Sequence, residues 1–229
     1  MNSEVEVGFA NDKGGCGKTT GASHLLWWAE ENAVPAIGIT TDPQGNLIQR
    51  LLDDPKLQPD RRFQYGKYVE LVFSPHHVPM LHTKGQRVVV YDYPPGLNQT
   101  YDSQLMDLWM VMIDSREAVE GLLTAMRSKS LRVKPGGKGI YAVINMYDGA
   151  GNEPVKAAIE TIKSIPGVKL WPQQISDCNP IQRSAEFRKP AWKVPKGKGT
   201  IGATQMQQFC YEVFTLLGLP TKAPERRRS

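Results

Sequence analysis

Residues 11–20 read NDKGGCGKTT, and the reading of these ten residues decides the fold. Glycines at 14, 15 and 17 let backbone N–H groups turn inward onto phosphate oxygens, Lys18 faces the β and γ charges, and the Thr19 hydroxyl can ligate a divalent cation. A phosphate loop of the form Gly-x-x-x-x-Gly-Lys-Ser/Thr has its first glycine at position 12. Here Asp12 occupies that position and a second lysine, Lys13, follows it. The loop therefore carries two cations where a single phosphate site needs one.

The flanking segments put the loop between a strand and a helix. EVEVGFA (4–10) alternates as a strand does, and 19–32 reads as a helix with Leu25, Leu26 and Trp28 for its buried side. Farther along, 35–41 reads as a strand, 47–52 as a short helix, 88–91 and 108–113 as strands, 117–130 as a helix, 140–145 as a strand, 153–164 as a helix and 204–217 as a final helix. Segment 53–86 is polar and proline-rich and receives no assignment. Alternating strands and helices predict an α/β fold, a mostly parallel twisted sheet with helices on both faces. In such sheets ligands sit just past the carboxyl ends of strands, which is where the loop falls.

At 229 residues the chain can bury one substantial core, and a single domain is expected over 1–219 with a basic, flexible tail at 220–229. Hydrophobic residues make up 40% and charged residues 22%. No apolar run approaches the roughly 20 residues needed to span a bilayer. The opening MNSEVEVGFA lacks the basic leader of a signal peptide, so a cytoplasmic location without membrane attachment is expected. Cys16, Cys178 and Cys210 are too few and too scattered for a disulfide framework or a zinc site and are read as thiols. His76, His77 and His82 lack the spacing of metal ligands. Lys plus Arg exceed Asp plus Glu by 28 to 23, a formal charge of +5, which favours a polyanionic partner.

Two more strings carry chemistry. Thr41-Asp42-Pro43-Gln44-Gly45-Asn46 places a carboxylate at a strand end, where it can polarise a water attacking a γ-phosphate; Asp-Pro alone is a turn signal. VVVYDYPPG (88–96) is a hydrophobic strand ending in an acid, the form of a Walker B site in which Asp92 holds Mg2+ through water, followed by a turn stiffened by two prolines.

Together KGGCGKTT, DPQGN and the hydrophobic strand with D-x-PPG resemble the P-loop ATPases with a deviant Walker A loop of the ParA/MinD family, most of all the ParA plasmid and chromosome partition proteins. AVINMYDG (142–149) and KGKGT (196–200) before a helix resemble further parts of that family. The resemblance implies ATP and Mg2+ as cofactors. It implies a cofactor site of Gly14, Gly15, Cys16, Gly17, Lys18, Thr19 and Thr20, with Thr19, Asp42 and Asp92 at the metal. Lys13, Lys18 and Asp42 would be catalytic, Lys13 by reaching across an ATP-dependent homodimer to the phosphates of the other subunit. Family members usually carry an aspartate where this chain has Thr40, and often Ile-Pro-Arg-Asn where it has Ile175-Ser176-Asp177-Cys178. Asn145, Asn179 and Pro180 are candidate neighbours of the adenine.

Basic residues fall into three groups: Arg127, Lys129, Arg132, Lys134 and Lys138; then Arg183, Arg188, Lys189, Lys193, Lys196 and Lys198; then Arg226–Arg228. Such runs are usually solvated surface. The resemblance implies that the second group binds DNA without sequence preference, with a ParB-like adaptor stimulating hydrolysis and the dimer associated with the nucleoid. Without an N-terminal helix-turn-helix, sequence-specific operator binding is not expected. Prolines in LLGLPTKAPERRRS (216–229) argue against a MinD-like membrane helix. An ATPase of conjugation or other cargo positioning is a related alternative, and a metabolic synthetase acting on a small carboxylate is one of another class. An iron-sulfur reductase does not fit the positions of Cys178 and Cys210.

Overall fold

Six residues, Val5–Ala10, form β1 at the heart of a sheet, and both of its neighbours come from far along the chain. In the computed structural model, which describes residues 4–53, 55–75, 87–96, 104–145 and 153–224, β1 pairs in parallel with β5 (Val88–Asp92) and with β7 (Leu108–Ile113). On the β5 side follow β2 (Ala36–Thr40), β4 (Val69–Phe73) and β3 (Arg62–Tyr65); on the β7 side follow β9 (Gly139–Ile144) and β10 (Val168–Leu170). Among the described residues every pairing in this sheet is parallel except β3 with β4. A small parallel pair, β6 (Leu105–Met106) with β8 (Arg132–Val133), lies beside it.

Strand alternation sorts the core into two layers. Val88, Val90, Met110 and Met112 face one cluster with α1 (Lys18–Glu31), α2 (Asn46–Leu51) and α6 (Ile201–Leu217). Val89, Tyr91, Val111 and Ile113 face the other with α3 (Arg116–Arg127) and α4 (Glu153–Lys163). Both faces are covered, which is why the central strands read as near-continuous apolar runs rather than alternating ones. Helix α1 is buried nearly all round, Trp27 and Trp28 included. Among the described residues no helix is long and apolar enough to cross a membrane.

The segment left without assignment holds an antiparallel hairpin of β3 and β4. Its turn is fixed from outside: the Glu30 carboxylate accepts the N–H groups of Lys67 (2.7 Å) and Tyr68 (2.8 Å), beside Gly66 at φ 63°. A helix the sequence did not announce, α5 (Asn179–Phe187), runs to Arg188, which ends it in the left-handed conformation at φ 47° where a glycine is the usual signal. Within the expected tail, Thr221 accepts from Trp28 Nε1 (2.9 Å) and the Lys222 N–H donates to Asn32 (2.8 Å), so α1 holds the chain this far. His76, His77, His82 and Arg226–Arg228 lie outside the described residues.

Candidate functional site

The loop leaves β1 at Asn11, a residue sequence reasoning passed over. Its fully buried amide donates to the carbonyls of Met112 (2.7 Å) and Ala118 (3.1 Å), while its oxygen accepts the Lys13 N–H (3.0 Å). From there the chain turns through Gly15 at φ 78° and Gly17 at φ 98°, conformations that a side chain would strain. A Cβ added at Gly14 or Gly15 would meet nothing within 4 Å, so the cradle is open above its backbone. Lys18 opens α1 and is buried, its Nζ donating to the Lys13 carbonyl across the loop (2.8 Å).

At the metal side, Thr19 Oγ1 donates to both carboxylate oxygens of Asp92 (2.9 and 3.2 Å). Asp92 is only 1% exposed. Burial pushes its carboxyl up to about 7, opposed by the Thr19 hydrogen bond and reinforced by the charge of Asp42. The hydroxyls of Thr40 and Thr41, at the end of β2, are buried and have no partner among the described residues. A desolvated carboxylate beside buried hydroxyls is the setting that a hydrated Mg2+ suits, because that ion keeps several waters and takes one or two carboxylates with a substrate phosphate. Among the described residues no three His, Cys, Asp or Glu side chains converge to cage a metal alone.

Asp42 lies at the mouth. Its carboxylate accepts the Gln44 N–H (2.9 Å) and the Asn46 amide (3.4 Å), which shapes the turn into α2. A cleft of about 630 Å3 is lined by Gly14, Gly15, Gly17, Lys18, Thr19 and Thr20 of the loop and by Asp42, Gln44, Asn46, Gln49, Arg50, Pro95 and Ala185; Asp92 is bonded to Thr19 and is not itself part of the wall. That volume suits a nucleotide-sized ligand. Arg50 was not foreseen; its signal is its position four residues after Asn46, on one face of the short helix.

The second lysine faces elsewhere. Lys13 Nζ meets both oxygens of Asp114 at the end of β7 (3.0 and 2.9 Å), and that hydrogen bond raises its pKa. Cys16 is buried, its thiol directed at the Lys13 carbonyl (3.4 Å) and pushed up by burial. The candidate base neighbours separate. Asn145 is buried beneath the loop, donating to the Cys16 carbonyl (2.9 Å), so its amide braces the cradle. Asn179 is exposed and Pro180 buried at the start of α5. None of the three is part of the cleft wall.

The second basic group lies on α5 and the segment after it, and three of its members make the following pairs. Arg183 pairs with Glu186 (3.3 Å) and lies over the Phe187 ring; Arg188 holds Asp53 (2.7 Å) and the Leu52 carbonyl (3.1 Å); Lys193 pairs with Glu31 (2.8 Å). Lys189, Lys196 and Lys198 are exposed. The first group is split off, with Lys134 bonded to Glu6 and Asp107.

Comparison with known proteins agrees with this geometry. The septum site-determining protein MinD of Pyrococcus horikoshii, complexed with Mg-ADP, superposes with a TM-score of 0.68 at 17% identity, over 96% of this chain and 100% of that one. A Borrelia burgdorferi protein assigned to plasmid partition, bound to AMPPNP, gives 0.66 at 17% identity, over 93% and 99%. Cobyrinic acid a,c-diamide synthase of Mycobacterium smegmatis, with ADP and magnesium, gives 0.60 at 15% identity, over 98% and 100%. No curated protein matches the chain by sequence. Residues 7–191 match the CobQ/CobB/MinD/ParA nucleotide binding domain. That stretch begins inside β1 and takes in the loop, Asp42, Asp92 and α5, so the chain belongs to the CobQ/CobB/MinD/ParA nucleotide-binding family.

Proposed function

We propose that the chain is an ATPase of DNA segregation that binds Mg-ATP, pairs with a second copy across the nucleotide, and holds DNA without sequence preference until hydrolysis releases it. The observation that carries this reading is the division of labour between two lysines. Lys18 lies in the loop's own cradle, while Lys13 is bonded to Asp114 outside it and its side chain is 35% exposed. A loop needs no second cation for its own phosphates, and one exchanged for the pair with Asp114 suits a partner's.

Within the site, the N–H groups of residues 14–18 and the Lys18 ammonium hold the β and γ oxygens, and the N-terminus of α1 adds a favourable dipole. Thr19 and Asp92 hold the cation side. Mg2+ held there would supply neutralisation of the phosphate charge. Asp42, fixed in its turn, orients the attacking water and takes its proton. A ParB-like adaptor would stimulate this step. The plasmid-partition assignment of the Borrelia neighbour supports the cargo, and the exposed lysines after α5 support the DNA contact.

The test is sedimentation of the full chain with Mg-ATP or Mg-ADP, alongside ATPase assays with and without duplex DNA. A dimer with ATP alone, lost in Lys13→Ala while that variant still binds nucleotide, is the expected result. A wild-type chain that stays monomeric with ATP, or turns over at a rate indifferent to DNA, would overturn the segregation reading in favour of small-molecule chemistry.

A further inference from the structure

Helix α2 buries Leu47, Ile48 and Leu51 and turns Asn46, Gln49 and Arg50 to the cleft. Arg50 is the unusual member. Its Nη2 donates to Ser184 Oγ (2.7 Å) and to the Ile181 carbonyl (3.3 Å), both on α5. Its Nε is out of solvent and meets no acceptor among the described residues. Among the described residues no carboxylate pairs with it. Burial lowers the guanidinium from its ordinary value to about 10, partly offset by the charge of Asp92. The Asp42 carboxylate in the same cleft is occupied by its own turn.

A desolvated cation with neutral partners only is costly unless an anion completes it, and the planar fork of an arginine matches phosphate oxygens. The anion belonging to this cleft is the polyphosphate over the loop. Arg50 lines that cleft together with Thr19 and Asp42, and its charge acts on Asp92, the acid bonded to Thr19, so it belongs with the groups read as serving the terminal phosphate and its cation.

We infer that Arg50 contacts the terminal phosphate of a nucleoside triphosphate bound in its own subunit, and that through Ser184 and Ile181 it ties α5 to the presence of that phosphate. This rests on the nucleotide reading above and adds the residue that distinguishes triphosphate from diphosphate. With a diphosphate, Arg50 has nothing to close on. With a triphosphate, it draws α2 and α5 onto one anion and α5 tightens.

The test is titration calorimetry of AMPPNP and of ADP, each with Mg2+, on wild type, Arg50→Gln and Arg50→Lys. AMPPNP affinity should fall about ten- to hundredfold in Arg50→Gln, as expected for a lost charge-assisted contact, less in Arg50→Lys, with ADP affinity nearly unchanged. Equal losses for both ligands, or none, would overturn the inference and leave Arg50 a clamp between two helices. Should the variants fail to fold, amide exchange on wild type decides: 179–187 must gain protection with AMPPNP and not with ADP, and equal protection overturns it. A wild-type chain that binds neither nucleotide sinks the nucleotide reading and this inference together; normal wild-type binding with an unaltered preference in the variants sinks the inference alone.

Discussion

Asp92 and His24 show how two buried groups set opposing pH dependences. Asp92 keeps its proton to about pH 7 in the folded chain against 3.8 ordinarily, because burial disfavours the carboxylate. Between those values the folded state holds the extra proton, so this contribution to stability falls as pH rises and is lost above 7. His24 runs the other way. Its Nδ1 donates to the Thr20 carbonyl (2.7 Å), its Nε2 accepts the Ala191 N–H (3.1 Å), and burial lowers its pKa from 6.5 to about 3. That contribution is complete above 6.5 and is lost as pH falls. Through most of the window from 4 to 6.5 the two slopes oppose each other. Asp92→Asn keeps an acceptor for Thr19 and removes only the first contribution. Nucleotide-free urea unfolding should find the variant more stable than wild type at pH 8 by on the order of 2–4 kcal/mol, with the difference shrinking by about 1.4 kcal/mol per pH unit below 7. A variant less stable than wild type at pH 8 would contradict the buried-charge account.

At the scale of elements, the basic segment from α5 to α6 divides between cations that pair within the fold and lysines that are exposed. Lys189 and Lys196 form no ion pair among the described residues, whereas Arg188 clamps Asp53 and the Leu52 carbonyl to the end of α5. If this segment faces DNA, Lys189→Ala should weaken binding to unrelated duplexes alike and reduce the slope of log affinity against log salt by about 0.9, the value for one phosphate released. Arg188→Ala should act mainly by loosening α5 from the chain after α2. Anisotropy over a salt series with two duplexes checks both, and a strong preference for one duplex would argue against a phosphate-only grip. The same elements mark what could be read in advance. Strand β1, the glycine loop and α1 were legible because each has a strong local signal, and β5 because an apolar run ends abruptly in Asp92. Strand β3 and α5 were not. The hairpin turn depends on Glu30 from another element, and α5 has neither a capping side chain at Cys178 nor a glycine at its end. Nor could spacing show that Asn11 reaches Met112 and Ala118, or that Lys13 finds Asp114, since both contacts link residues about a hundred positions apart.

For the whole molecule, the sheet order has a consequence in time. Strand β1 carries the phosphate loop, yet its registered partners begin at Val88 and Leu108, so the chain must close two long loops before β1 has a neighbour on either side. Long-range parallel pairing of this kind places folding in the slower millisecond-to-second class. Asn11 cannot brace the cradle until β7 and α3 are present, and Asn145 cannot do so until β9 is. The cradle is therefore among the last parts to assemble, and the folding transition state offers a nucleotide little to bind. Mg-AMPPNP should slow unfolding in stopped-flow tryptophan fluorescence while leaving the refolding rate nearly unchanged. Faster refolding with nucleotide would mean that the loop takes shape before its neighbours. Otherwise the ligand acts as a latch on a finished fold, prolonging the life of each folded molecule without hastening its birth.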